Sequence, residues 1–306
     1  MKEIILSIHY HKTGCVLSQK LYNLFNNELD NNIYHVKNPV IRRKFVTDTN
    51  NNFVFPIIKF EKKKKYNIFN QAGPNFFYNI HEKMPMINKI VHFIREPYDH
   101  CISNFLYHIQ YPTPEKVGIW IEKPLETNID SWFDKKALTY MIEEIGLNSD
   151  DIYNLFYYLK KIYKCPKNKS YYDYLKSLPL EDGLVIVTIH FILTFGDPLR
   201  LALITKKLKN CDNVITVYMS DFRDNPNLTI NKLGKFLFPN DITDKKIKRI
   251  IDNYKLDYNN NKNKKSTSHV TQGKISTEKR KELYNKLKSI PEIKKILDKV
   301  YSIIYN

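Results

Sequence analysis

Short apolar runs separated by polar stretches dominate the first hundred residues, and their lengths suit strands better than helices. Residues 3–9 form a brief β-branched run ended by polar residues, the pattern of a strand buried on both faces. His11-Lys12-Thr13-Gly14 then makes a tight turn, after which Leu17, Leu21, Leu24 and Phe25 recur at helical spacing. A weaker strand is expected at 33–36, another at 53–60, and further extended runs at 76–80 and 89–94. Pro97 fits the first turn of a helix, where its missing N–H would be unpaired anyway. That helix covers about 98–109 and carries Ile102, Phe105, Leu106 and Ile109 on one face.

Residues 112–210 read as mostly helical, with breaks at Pro124, Gly146, Pro166, Pro179 and Pro198. The stretch 185–192 suits a strand on propensity alone. A helix is favoured, because Asp182-Gly183 before it and the 199–208 pattern after it imply two helices meeting at Pro198. The last clear strand is 214–218, followed by a loop and a helix over 228–237. The tail from Asp241 reads as a helix, a polar loop over 259–274, and a final helix starting near Thr277. Strands alternating with helices imply an α/β fold: a parallel sheet with helices on both faces.

Composition narrows the class. A chain of 306 residues with 42% hydrophobic and 13% aromatic residues buries a core and is not a disordered chain. No stretch approaches the roughly 20 apolar residues that cross a bilayer; the most apolar segment, 184–195, is short and carries His190. The amino terminus has neither the apolar length nor the cleavage site of a signal peptide. A soluble, intracellular, cytoplasmic protein with no membrane contact is therefore expected. Cys15, Cys101, Cys165 and Cys211 form no C-x-x-C and have no histidine pair at zinc-finger spacing, which implies free thiols and no metal. The formal charge of +17 favours anionic partners, whether nucleic acid or a nucleotide-like co-substrate. The densest basic runs are 62–65, read as a solvated loop, and Lys262-Asn263-Lys264-Lys265.

Candidate chemistry gathers where parallel sheets bind ligands, outside the carboxyl ends of the strands. Three segments end expected strands: His11-Lys12-Thr13-Gly14, His81-Glu82, and the stretch from Arg95 to Ser103. The first is a phosphate-loop candidate, because a helix N-terminus offers unpaired N–H groups, Gly14 allows close approach and Lys12 adds a mobile charge. It is not G-x-x-x-x-G-K-[ST], since the lysine precedes the glycine, which argues against an ordinary ATPase or GTPase.

The segment HYHKTGCVLSQKL resembles the 5′-phosphosulfate loop of sulfotransferases, usually [PH]-K-[ST]-G-T-T. KIVHFIREPYDHCISNFLYH resembles that family's 3′-phosphate motif, with Arg95, Pro97, Asp99 and Ser103 at the family spacing of R-x-P-x-D-x-x-x-S. VYMSDFRDNPNLTINKLGKFLF resembles the later strand and helix. The three stand in the family's order. The resemblance implies a single sulfotransferase domain with a P-loop-NTPase-like fold, a helical acceptor-side lid over about 112–210 and a helical tail over about 241–306. It implies transfer of a sulfuryl group from 3′-phosphoadenosine 5′-phosphosulfate (PAPS) to a hydroxyl or amine, without a metal.

The resemblance assigns His11, Lys12, Thr13, Gly14, Cys15 and Val16 to the phosphosulfate, and Arg95 and Ser103 to the 3′-phosphate. Lys12 also steadies the departing phosphate oxygen. The acceptor's base is His81, with Glu82 the competitor and His35 or Glu61 as further sources. Cys15 and Val16 replace the family's threonine pair, and Thr13 or Ser18 is the candidate substitute. The family's C-terminal R-K-G has its nearest counterpart at Gly273 and Lys274, with Lys264 and Lys265 nearby. Each residue has a plainer reading: Lys12 as a surface lysine, Arg95 as a partner for Asp99 or Glu96, Ser103 as a small residue against the sheet, His81 as a strand-end histidine. His9, His11, His92, His108 and His190 read as structural or solvent-facing, and Trp120, Trp132 and the tyrosines of 153–174 as core and lid packing. The acceptor is a glycan, a small alcohol or phenol, or a protein side chain; nucleic acid is not the expected partner. The rival readings are a nucleotide-dependent kinase and a non-catalytic basic protein that binds polyanions.

Overall fold

The computed structural model describes residues 3–10, 13–36, 46–47, 53–54, 61, 63–72, 87–109, 135–166, 169–263 and 275–306. They divide into two compact units, each made of two stretches of chain: Met1–Arg95 with Asn210–Ser266, and Glu96–Lys209 with Thr267–Asn306.

The first unit is an α/β layer built on five parallel strands. These are β1 (Glu3–His9), β2 (Ile33–Val36), β5 (Tyr66–Ala72), β6 (Lys89–Ile94) and β7 (Val214–Tyr218), in the order β2-β5-β1-β6-β7. Two short strands, β3 (Val46–Thr47) and β4 (Phe53–Val54), pair antiparallel apart from it. The expected strand over 53–60 is thus described only at its first two residues, and the run over 76–80 lies outside the described residues. β5 carries no strand signal in the sequence, yet pairs with β1 along its whole length, from Glu3↔Tyr66 to His9↔Ala72.

Helix α1 (Cys15–Glu28) buries Leu21, Tyr22 and Phe25 in a core shared with Ile5, Ile68, Val91, Phe93 and Val217 of the sheet. After β7 the expected loop is a short helix, α8 (Met219–Asp224). Helices α9 (Pro226–Leu237) and α10 (Asp244–Asn263) add Ile230, Leu233, Leu237, Ile247 and Ile250 to the same core. α10 continues to Asn263, so the loop expected over 259–274 is helical at its first five residues, and its remainder lies outside the described residues. One polar pair is pinned inside: the Tyr22 hydroxyl donates to Ser7 Oγ at 2.8 Å.

The amino-terminal edge of the sheet is stitched by ions. Lys89 Nζ lies 2.7 Å from Glu3 Oε2 and 2.8 Å from the carbonyl of Leu237. Lys65 Nζ meets Asp241 Oδ2 at 2.5 Å, and the Tyr66 hydroxyl donates to the same oxygen. Lys64 donates to the Asn31 carbonyl at 2.5 Å. The basic run read as a solvated loop is therefore half tied into the fold, by its last two lysines.

The second unit, described by itself, is helical. It holds α2 (Pro97–His108), α3 (Lys135–Ile145), α4 (Ser149–Ile162), α5 (Tyr171–Lys176), α6 (Leu180–His190), α7 (Asp197–Leu208), α11 (Thr277–Lys288) and α12 (Pro291–Tyr305). The stretch from Gly183 to His190 is buried on every side, as expected of a helix apolar all round at the centre of a helical layer. It continues as one wide turn over Phe191–Phe195 and stops at Gly196, whose φ of +61° suits glycine, before Pro198 enters the first turn of α7. The strand alternative for 185–192 is thus excluded. The final helix is two, because Pro291 starts α12. Tyr163, Tyr171 and Tyr174 are buried packing residues, while Tyr157 is exposed; Trp120 and Trp132 lie outside the described residues.

Among the described residues, no single helix is long and apolar enough to cross a membrane. Leu180–Thr194 and Asp197–Leu208 reach that length and composition only as a pair bent by 52°. Their Leu184, Ile189, Ile192 and Leu199 are fully buried within the unit.

Candidate functional site

The chain leaves central β1 toward one side of the sheet, reaching β2 and β5, and then crosses to β6 and β7 on the other. The direction reverses between β1 and β6, so the carboxyl ends of these two strands define the switch point where open α/β sheets hold ligands. The register keeps these ends together: Ile8 pairs with His92, and Ile94 with Tyr218.

The loop after β1 closes on itself. Tyr10 N–H donates to Thr13 Oγ1 at 2.6 Å, that hydroxyl donates back to the Tyr10 carbonyl at 3.0 Å, and Thr13 N–H reaches the same carbonyl at 3.1 Å. Thr13 is fully buried, so its side chain serves as the clasp of the turn. Gly14 follows with φ +113°, a conformation that favours glycine. A Cβ there would stand 2.8 Å from Met219 Sδ and 3.4 Å from the Phe93 ring. The loop thus sits on the ends of β6 and β7, and Met219 is a neighbour that only the third dimension reveals.

Helix α1 begins at Cys15 with no side-chain cap and no acidic residue in its first turn. Its first internal bond runs from Ser18 N–H to the Gly14 carbonyl at 2.8 Å, so amides ahead of Ser18 have no carbonyl within the helix to meet. Capping by Ser, Thr, Asp or Asn is the usual remedy; an uncapped start preceded by glycine suits an anion instead. The Ser18 hydroxyl donates to the Cys15 carbonyl at 2.9 Å, and Gln19 Nε2 reaches Cys15 Sγ at 3.5 Å. Thr13 and Ser18 therefore both spend hydroxyl contacts inside the loop and first turn.

Gly14→Ala should destabilise the chain by about 1–3 kcal/mol, the cost of a non-glycine residue held in such a conformation. Met219→Ala in the same chain should recover the steric part only. Thermal unfolding checks this; a Gly14→Ala variant as stable as the parent would mean that the loop has another shape.

Arg95 ends the first stretch of the sheet-bearing unit and is half-buried. Ser103 belongs to the helical unit. It is the seventh residue of α2, and it is 1% exposed. Within that unit, Glu96 caps α2 by accepting Asp99 N–H at 2.6 Å, and Asp99 Oδ1 accepts from Arg280 Nε at 2.7 Å. Burial pushes the Glu96 carboxyl above its ordinary value.

The structure brings Thr13, Gly14, Cys15 and Val16 together at one strand end. His11, Lys12, His81, Glu82, Gly273 and Lys274 lie outside the described residues, as do Lys264 and Lys265. His92 is fully buried beside the Tyr10 ring, with centroids 5.9 Å apart, and burial holds its pKa down to about 3. His35 packs against the Tyr22 ring. Among the described residues no three His, Cys, Asp or Glu side chains gather for a metal ion.

These observations define a class: an α/β protein with a five-stranded, all-parallel sheet and a glycine loop opening a helix at the switch point. No protein-family model, curated protein or solved structure matches the chain.

Proposed function

We propose that the chain is a sulfotransferase, moving the sulfuryl group of PAPS to an acceptor hydroxyl or amine. The observation that supports this best is the uncapped start of α1 behind Gly14, at the carboxyl end of the central strand. A phosphosulfate is a dianion-sized ligand for such amides. In the proposal the acceptor oxygen attacks sulfur in line, the bond from sulfur to the bridging phosphate oxygen breaks, and adenosine 3′,5′-bisphosphate leaves. Charge builds on the bridging oxygen, so catalysis is positioning and electrostatics. Lys12 stabilises that oxygen, and His81, with Glu82 as its competitor, takes the acceptor's proton. Arg95 and Ser103 hold the 3′-phosphate, and Gly273 and Lys274 are further contacts to the nucleotide. The acceptor is a glycan, a small alcohol or phenol, or a protein side chain.

The experiment is calorimetry with adenosine 3′,5′-bisphosphate, ATP and adenosine 5′-monophosphate. The bisphosphate should bind more tightly than ATP. Arg95→Ala should weaken it by about 2–4 kcal/mol, the scale of losing a charge-assisted partner, and leave the monophosphate unchanged. Tighter ATP binding, with Arg95→Ala weakening all three alike, would favour a kinase. No nucleotide binding at all would leave the polyanion-binding reading.

A further inference from the structure

The last two helices line up aromatic rings on the face they leave open. In α12, Lys294, Asp298, Tyr301 and Tyr305 recur at i, i+4, i+7 and i+11, which places them on one stripe. A neighbouring stripe, Ile293, Ile296, Leu297, Val300 and Ile304, is buried and holds the helix in its unit. The Tyr301 and Tyr305 rings lie 4.6 Å apart and are 42% and 37% exposed. On α11, the Tyr284 hydroxyl donates to Glu96, the cap of α2, at 3.3 Å, and its ring meets that of buried Tyr98 at 4.8 Å. Burial pushes the Tyr284 hydroxyl up, and Glu96 and Tyr301 add to it, so Tyr301 stands beside it.

Positive charge follows the same line. The stretch Thr277–Tyr305 carries eight basic residues against four acidic ones. Lys288 Nζ lies 4.9 Å from the Tyr284 centroid and 5.4 Å from that of Tyr98, with no carboxylate of the described residues at ion-pair distance. Past Tyr305, Lys209 Nζ donates to the Asn306 carbonyl at 2.7 Å. Lys294 pairs with Asp298 at 2.8 Å, but both are half-exposed; such a surface pair is worth little, and a polyanion displaces it readily.

The exposed side chains indicate the kind of partner. Among the described residues of this unit, the large exposed ones of hydrophobic type are Tyr140, Tyr157, Tyr301 and Tyr305, with no leucine, isoleucine or phenylalanine beside them. A lipid surface or an apolar groove would call for aliphatic side chains. An acidic peptide would need the ammoniums and no flat rings. Rings set among ammoniums match a single-stranded nucleic acid, whose bases stack on aromatics while lysines follow its phosphates.

We propose that the α11–α12 face, through Tyr301, Tyr305, Lys288 and Lys294, binds single-stranded nucleic acid. A duplex hides its base faces and offers this surface phosphates alone. The surface lies wholly within the helical unit and acts whether or not the chain transfers sulfuryl groups.

The test is fluorescence anisotropy on the full chain with a labelled oligothymidylate, a DNA duplex of the same length and polyglutamate, alongside thermal unfolding. The single strand should bind most tightly, with affinity falling as salt rises. Tyr301→Ala should weaken it about tenfold, the scale of one lost stacked base, and leave duplex affinity unchanged. Tyr305→Ala should act alike, and serves if Tyr301→Ala does not fold. Lys288→Gln should lower the slope of log affinity against log salt by about 0.7, one phosphate contact to a single strand. A parent that does not bind the single strand overturns the proposal. Equal affinity for the duplex or for polyglutamate overturns it too. Tyrosine variants that bind like the parent would reduce the attraction to the chain's overall charge, which also overturns it.

Discussion

Replacing Lys12 with Ala is expected to lower kcat by about 10²–10³-fold, the scale on which one preorganised charge-stabilising group acts, while the affinity for adenosine 3′,5′-bisphosphate changes far less. Lys12 stands between Tyr10 and Thr13, whose mutual hydrogen bonds close the turn. The helix amides and Gly14 offer a fixed, partial positive charge that serves ground state and transition state alike. A mobile ammonium adds most where charge grows, on the bridging oxygen as the sulfuryl group departs. Single-turnover rates on parent and variant, set beside calorimetry, separate the two effects. Equal losses in rate and affinity would reduce Lys12 to a binding residue.

Elements with an uninterrupted apolar run or a helical period were legible in the chain, the weaker run at 33–36 included. The strands at 3–9, 33–36, 89–94 and 214–218 and the α1 and α2 helices stand where periodicity and Pro97 put them. What escaped was apolar signal diluted by asparagine. β5 reads Tyr-Asn-Ile-Phe-Asn-Gln-Ala behind a lysine run, and nothing in that string announces a strand between two others. The fold accommodates its polarity by use: Asn67 is 1% exposed and its side-chain oxygen accepts the Glu61 N–H at 3.0 Å. Asparagine likewise hid the end of α10, whereas α8, where Met219 turns its sulfur to Gly14, is too short and too polar to show a helical period.

The candidate site was legible as motifs and not as contacts. Gly14 could be assigned from the turn it had to make, and its positive φ agrees with that. Thr13 was assigned to the ligand because of its place in the motif, whereas its hydroxyl is bound to Tyr10 on both the donor and acceptor side. Arg280 and Tyr284 carried no signal at all. They lie nearly two hundred residues from the start of α2 that they hold, on a helix whose sequence shows only an alternation of charge.

Acid should destabilise both units through one buried histidine in each. His92 in β6 and His190 in α6 are held to pKa values of about 3, from 6.5, by burial; for His190 the nearby His108 adds to it. Both ring nitrogens of His92 lack a hydrogen-bond partner among the described residues, so the neutral ring is the only form its site accepts. The sign follows from proton counting. Above pH 6.5 neither state is protonated and both histidines contribute in full. Below it the unfolded chain binds protons that the folded chain refuses, so stability falls with pH until the folded values near 3 are passed. Each histidine then removes about 1.4 kcal/mol per pH unit, or about 2 kcal/mol between about pH 6 and about pH 4.5. Carboxylates held low by lysine partners, Asp241 and Glu181, act below that window. Glu96, held high by burial, opposes the loss within it, so the decisive measurement is a difference. His92→Phe keeps a ring against Tyr10 without a titrating group, and its unfolding free energy should fall less steeply than the parent's by one proton's worth of slope. Denaturant unfolding across this window reads the slopes; parallel slopes would show that His92 is protonated in the folded chain as readily as in the unfolded one.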